Sequence, residues 1–318
     1  MARLYVLGNG FDLHHRLDTR FSDFKNYLKT HNQEMLDTLY RYYFTEGDQD
    51  LWSDFEHNLA NLDKDALLED LSEYLPDISS DDFSDRDWHS SGIESTKYLT
   101  MLTTSLRYEF SRFILNAETK VIDKVVLLDV DPSAKFFSFN YTSTLEKHYD
   151  ILPQNVLHIH GIANEEDRIV LGHATDPAMF IEQKVNLTPP EGISGKKLEY
   201  WHEWMSDQHD PQYESLVDDV NSYFSSSFKN TNRIIKECSE YFNSLCKIKE
   251  IYILGHSMSD VDLSYFEKLV ASLHPKCHWY VSYHGDEEEQ RIACTLDGLN
   301  IQPDKFTLIK LVDLKICI

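Results

Sequence analysis

A chain of 318 residues with a hydrophobic fraction of 42% can bury a large core, as one large domain or two small ones. Its 17 Phe, 18 Tyr and 5 Trp belong to a packed globular protein and exclude a disordered one. The formal net charge of −24, from 30 basic and 54 acidic residues, repels nucleic acid and anionic membrane. It leaves room for a local phosphate site built from backbone N–H groups, and its simplest meaning is solubility.

The N-terminal MARLYVLGNG passes straight into a strand, Leu4 to Leu7, and then a glycine turn. With neither a signal peptide nor an apolar stretch of membrane-spanning length, a reduced cytosol is the expected compartment. From Phe21 to about Leu75 the pattern is helical: Phe24, Tyr27 and Leu28 recur at three- and four-residue spacing, as do Phe55, Leu59 and Leu62. Residues 76–95 are polar and acidic and read as a loop; a helical pattern returns from Lys97 to about Leu128. Strands are expected at 135–140 (KFFSFN), 155–161 (NVLHIHG) and 168–173 (RIVLGH). A mostly polar helical region, about 176–246, precedes strands at 248–255, 277–284 and 305–311.

Strands alternating with helices predict a Rossmann-like α/β fold, a mostly parallel sheet with helices on both faces. The helical stretches at about 25–130 and 176–246 read as insertions into a single domain spanning 1–318. They are expected to lie over the carboxyl ends of the strands as a lid, with Trp52, Phe55 and Glu56 on the first and its aromatics buried. Cys238, Cys246, Cys277, Cys294 and Cys317 form no C-x-x-C pair and are odd in number, which argues against a disulfide framework and a structural zinc. No metal is expected.

Gly8, Asn9 and Gly10 follow the first strand and open a helix, half of a dinucleotide-binding fingerprint that lacks its third glycine. Glycine permits a sharp turn and close approach of phosphate to the backbone. Phe11 and Asp12 begin the helix; Asp12 is either a cap or a partner of a ribose hydroxyl. Asn140 ends the FSFN strand, where it caps the next helix or faces a ligand. Alternation places His158 and His160 on one face of the following strand, with His158 a packing residue and His160, before Gly161, at the strand end. In a parallel sheet these ends open on one crevice with the GNG turn. Gly255, His256 and Ser257 end a later strand, and Asp260 and Asp262 follow at a helix start, where they can touch a ribose or an adenine-side hydroxyl. G-H-S-M-S resembles the G-x-S-x-G nucleophile elbow but has Ser259 at the last position.

The segments LGNGFDLHHRLDTRFSDF (7–24), WSDFE (52–56), FSFNYTSTLE (137–146), HIHG (158–161), LGH (171–173) and ILGHSMSDVDLSYF (253–266) resemble the abortive-infection AbiH family of bacterial anti-phage proteins. Arg16 stands where that family usually has glycine, and Phe21 where Tyr is common. The family in turn resembles a distant branch of the sirtuin-like NAD-binding fold, with GNG, Asn140, His160-Gly161 and Gly255-His256-Ser257 in the matching slots and the four-cysteine zinc module absent. The resemblance implies NAD as substrate and cleavage to nicotinamide and ADP-ribose, with His160 as base, Asn140 orienting ribose or water, and no metal. A dinucleotide is the expected ligand, the charge speaks against direct nucleic acid or membrane, and a homo-oligomer or a phage-derived trigger is the expected partner. Two alternatives stay open: a non-enzymatic nucleotide-binding sensor of phage defence, and a hydrolase using Ser257.

Overall fold

The computed structural model describes residues 2–43, 51–52, 54–76, 84, 89–164, 169–181, 188–208 and 210–314. Ser53, Arg168, Cys317 and most of the 76–95 segment lie outside the described residues.

Among the described residues six strands form one sheet: β1 (Arg3–Leu7), β2 (Lys135–Ser138), β3 (Val156–His158), β4 (Glu250–Leu254), β5 (His278–Ser282) and β6 (Phe306–Ile309). Their order is β3-β2-β1-β4-β5-β6, and every neighbouring pair is parallel. The inner strands β1, β2 and β4 are short and largely apolar on both faces, as a sheet covered on both sides requires. Alternation divides the side chains cleanly. Leu4 and Val6, with Phe137, Ile251 and Ile253, enter one core with Phe242, Tyr265 and Phe266. Tyr5 and Leu7, with Phe136 and Leu254, enter the opposite core with Phe11, Leu128 and Leu145. On that second face Phe136, Tyr5, Tyr252 and Tyr280 stack strand to strand at centroid spacings of 5.2, 5.1 and 4.6 Å, which locks the register of four strands.

The helices in chain order are α1 (Asn9–His14), α2 (Phe21–His31), α3 (Gln33–Tyr42), α4 (Phe55–Asn58), α5 (Lys64–Ser72), α6 (Ser90–Thr100) and α7 (Leu106–Ala117) before β2. After β2 come α8 (Thr144–His148), α9 (Lys196–Gln208), α10 (Pro211–Ser226), α11 (Thr231–Glu237), α12 (Ser239–Asn243), α13 (Leu263–Ser272) and α14 (Asp286–Gly298). Among the described residues no helix is long and apolar enough to cross a membrane. The two insertions share a third core. Phe24, Leu39, Trp52, Phe55, Leu67, Leu71 and Phe110 of the first meet Leu216, Val220, Tyr223 and Phe224 of the second, so the helices form one layer.

Three expectations are corrected. The strand expected over 155–161 ends at His158, and residues 159–160 turn, with Gly161 at φ 81°. The strand expected at 168–173 joins no sheet; His173 makes one isolated parallel bridge to Phe228. Its backbone is engaged elsewhere: the Val170 N–H donates to the His160 carbonyl at 2.8 Å and the His173 N–H to that of Ser227 at 3.0 Å. The helix expected over 97–128 begins earlier, at Ser90, runs through a π-turn at Met101–Ser105 and stops at Ala117. The β-branched Thr119, Val121 and Ile122 disfavour its continuation, and Asp123 caps a separate short turn at Lys124–Val126.

Candidate functional site

The sheet order reverses between β1 and β4, so the connections leaving these neighbours diverge and a crevice opens above their carboxyl ends. A cleft of about 1630 Å³ lies there. Gly8, Asn9, Gly10, Asp12, Asn140, His160, Gly255, His256, Ser257, Asp260 and Asp262 all line it. Phe21, Glu56, His57, Asn58, Phe110 and Ile114 line it as well, which puts the first insertion over the carboxyl ends of the strands. Trp52 and Phe55 are buried, and their rings stack at 5.2 Å.

The glycine turn is shaped by a close backbone crossing. The Gly10 N–H donates to the Gly255 carbonyl at 2.7 Å, and the Gly8 N–H to that of Leu254 at 3.1 Å. A Cβ on Gly8 would lie 2.5 Å from the His256 Cα, and one on Gly10 2.8 Å from the Gly255 Cα. Gly255 has φ 65°, and its Cβ would lie 2.2 Å from the Phe11 nitrogen. These glycines therefore let the turns after β1 and β4 touch.

Around this crossing several polar side chains are committed to the protein itself. The Asn9 carboxamide donates to the Thr19 carbonyl at 3.1 Å and accepts from the Thr19 hydroxyl at 2.6 Å. Phe11, expected beside the ligand, is fully buried in the core at 4.6 Å from the His15 ring and is not among the cleft-lining residues. Its apolar ring gains more by packing than a wet wall would provide. Asp12 is 1% exposed and accepts hydrogen bonds from Thr142 at 2.8 and 3.0 Å and from Thr144 at 2.9 Å. Burial outweighs these bonds and pushes its carboxyl up to about 7.

The two histidines of HIHG part company, because the turn after β3 breaks the alternation. His158 takes the structural role expected of it: Nε2 is 2.9 Å from Glu146 Oε1 and Nδ1 3.3 Å from the Asn140 carbonyl. His160 swings to the other side, among Phe139, Tyr141 and Tyr265 at centroid distances of 5.4, 5.9 and 5.7 Å. It is 3% exposed, and its Nε2, 3.7 Å from Asp262 Oδ1, has no hydrogen-bond partner among the described residues. Burial and then the Lys229 charge push this ring down to about 3, so it is neutral at pH 7. Asn140 lies in the same wall with no partner for its side-chain amide among the described residues; Ser143, with Glu118 at its N–H and hydroxyl, occupies the N-cap of α8.

Lys229 was not legible as a site residue. It is 1% exposed, with Nζ 2.9 Å from Asp262 Oδ1 and 3.4 Å from Glu56 Oε2. The LGH segment seats it: the Lys229 N–H donates to the His173 carbonyl at 2.7 Å, and a Cβ on Gly172 would lie 1.9 Å from the Ser227 carbonyl oxygen. Glu56 Oε1 accepts from the Tyr141 hydroxyl at 3.1 Å. Burial raises the Glu56 carboxyl despite Lys229, whereas the Lys229 charge and then the His256 hydrogen bond hold Asp262 far below the usual carboxylate range despite its burial. The three charged groups come from α4, the α10–α11 connection and the turn after β4.

Among the described residues no base is hydrogen-bonded to the Ser257 hydroxyl. The His256 Nδ1 accepts from the Met258 N–H at 2.8 Å, and its Nε2 faces Asp262 Oδ2 at 3.4 Å, so both ring nitrogens point away from a triad on Ser257. Among the described residues no cluster of three or more His, Cys, Asp or Glu side chains has metal-binding geometry.

A parallel sheet in this order, with a large cleft above its switch point and a helical layer over the strand ends, defines a Rossmann-like α/β protein. The chain belongs to the family described as Bacteriophage abortive infection AbiH, whose model matches residues 4–283. No curated protein and no solved structure matches it.

Proposed function

We propose that this abortive-infection protein binds NAD across the switch-point cleft and hydrolyses it to nicotinamide and ADP-ribose. The observation that carries the reading is the buried Nε2 of His160, without a partner among the described residues and set in the same cleft wall as Asn140. A buried polar atom without a partner is costly, and one that lines a ligand-sized cleft is accounted for by a ligand or its water.

The reaction balances with water alone. The bond between the pyridinium nitrogen and the ribose C1′ breaks, and its electron pair leaves with neutral nicotinamide, so no acid is needed. The ribose is left as an oxocarbenium ion. Water attacks C1′, and its proton passes to His160 Nε2; Asn140 holds the water or a ribose hydroxyl in line. Incubating the pure protein with NAD and separating the products by chromatography tests this. Equimolar nicotinamide and ADP-ribose is the expected result, and intact NAD after prolonged incubation sinks it.

A nucleotide sensor that binds without cleaving is the second reading. It is favoured by the weak basicity of His160, whose ring stands at about 3. In that case calorimetry detects NAD binding while no product forms.

A further inference from the structure

The ion cluster whose carboxylates, Glu56 and Asp262, line the cleft carries more negative than positive charge. Glu56 and Asp262 share the single ammonium of Lys229. His256 adds no charge, because its Nδ1 accepts the Met258 N–H and its proton therefore sits on Nε2, toward Asp262. Each carboxylate has one further donor, His256 for Asp262 and the Tyr141 hydroxyl for Glu56, but Lys229 is 0.5 Å closer to Asp262, so the carboxylate with less of the ammonium is Glu56. Glu56 lines the cleft, with a side chain 15% exposed. A carboxylate short of positive charge in a poorly solvated site either takes a proton or draws a cation, and burial, with Asp262 beside it, raises the proton affinity of Glu56. A second observation points the same way. His160 Nε2, buried and unpartnered, aims at this cluster from 3.7 Å, so the cluster has a polar face that the protein leaves unfilled.

We propose that Glu56 faces the positive charge of the ligand, the pyridinium ring before cleavage and the ribosyl cation that follows it, so that the helical layer supplies the carboxylate that selects an oxidised over a reduced dinucleotide. This rests on the NAD reading given above. Glu56 acts here by touching substrate: an anion placed where positive charge grows stabilises that charge more than it stabilises the ground state. The products, neutral nicotinamide and an ADP-ribose that carries no cation, gain nothing from it.

The test is calorimetry with NAD, NADH and ADP-ribose on the wild-type chain and on Glu56→Gln, together with turnover of NAD. Wild type is expected to bind NAD at least about tenfold more tightly than NADH, a difference of about 1.4 kcal/mol. Glu56→Gln should abolish that preference and reduce turnover, while its affinity for ADP-ribose stays within about twofold; Glu56→Asp should recover part of the preference. NADH bound by wild type as tightly as NAD overturns the proposal without any variant, so it remains testable if Glu56→Gln misfolds. A wild type that prefers NAD joined by an unaltered Glu56→Gln overturns the role of Glu56 alone. A wild type that binds neither dinucleotide overturns the NAD reading, and this inference with it.

Discussion

The ammonium of Lys229 stands 2.9 Å from Asp262 Oδ1 and ties the second helical insertion to the turn after β4. Both groups are almost wholly removed from water, so the lysine cannot be deleted without stranding a buried carboxylate. Lys229→Met is expected to destabilise the chain by about 3–5 kcal/mol in urea unfolding, since it leaves two buried carboxylates without a counter-ion. Lys229→Met combined with Asp262→Asn should recover part of that loss. A single-variant cost of about 1 kcal/mol or less would show that the pair does not hold the two layers together.

His160→Ala and Asn140→Ala are each expected to lower NAD turnover by about a hundred- to ten-thousand-fold while melting near the wild-type temperature. Ser257→Ala should lose far less, because its hydroxyl is exposed and no base among the described residues is hydrogen-bonded to it. Steady-state kinetics on the three variants separates the readings. If Ser257→Ala abolishes turnover while His160→Ala retains it, NAD cleavage by this site is wrong.

The backbone crossing between the β1 and β4 turns predicts a sharp contrast among glycines. Gly255→Ala places a Cβ 2.2 Å from the Phe11 nitrogen at a positive φ, and Gly172→Ala places one 1.9 Å from the Ser227 carbonyl oxygen. Each should cost at least about 1–3 kcal/mol, through strain or backbone displacement. Gly92, in the first turn of α6, has nothing within 4 Å of its Cβ position, and Gly92→Ala should leave stability unchanged or raise it. Thermal melts that rank the three alike would refute the crossing. Gly10→Val disturbs the same contact, so it reports on the turn as much as on ligand approach.

Two buried groups give opposite pH dependences. His160 sits at about 3 instead of its ordinary 6.5, so the unfolded chain binds the extra proton and this group's stabilisation falls as pH drops from 6.5 toward 3. Asp12 sits at about 7 instead of 3.8, so the folded chain binds the extra proton and is favoured as pH drops from 7 toward 3.8. Urea unfolding of wild type and Asp12→Asn across pH 4–8 isolates the second effect. Wild type should gain on the variant by up to about 1.4 kcal/mol per pH unit as pH falls through that window. A difference that stays flat with pH would mean Asp12 is not raised.

The sequence by itself determined the sheet and where its crevice lies. Short continuous apolar runs such as Leu4–Leu7 and Phe136–Phe137 encode strands locally, and the helices between them force parallel pairing, so the carboxyl ends of β1, β2 and β4 had to meet on one side. That is why Gly8, Asn140 and Gly255 could be brought to one cleft from sequence. The local rule failed where a turn intervened: alternation put His158 and His160 on one face, and the turn ending in Gly161 set them on different ones. The tertiary structure alone decided the ion cluster. Glu56 and Lys229 are separated by 173 residues and Lys229 and Asp262 by 33, and no periodicity or spacing relates them. What joins them is the packing of α10 against the first insertion and the docking of residues 171–173 on 227–229, and a lysine in a polar stretch gives no sign of burial until those layers close over it.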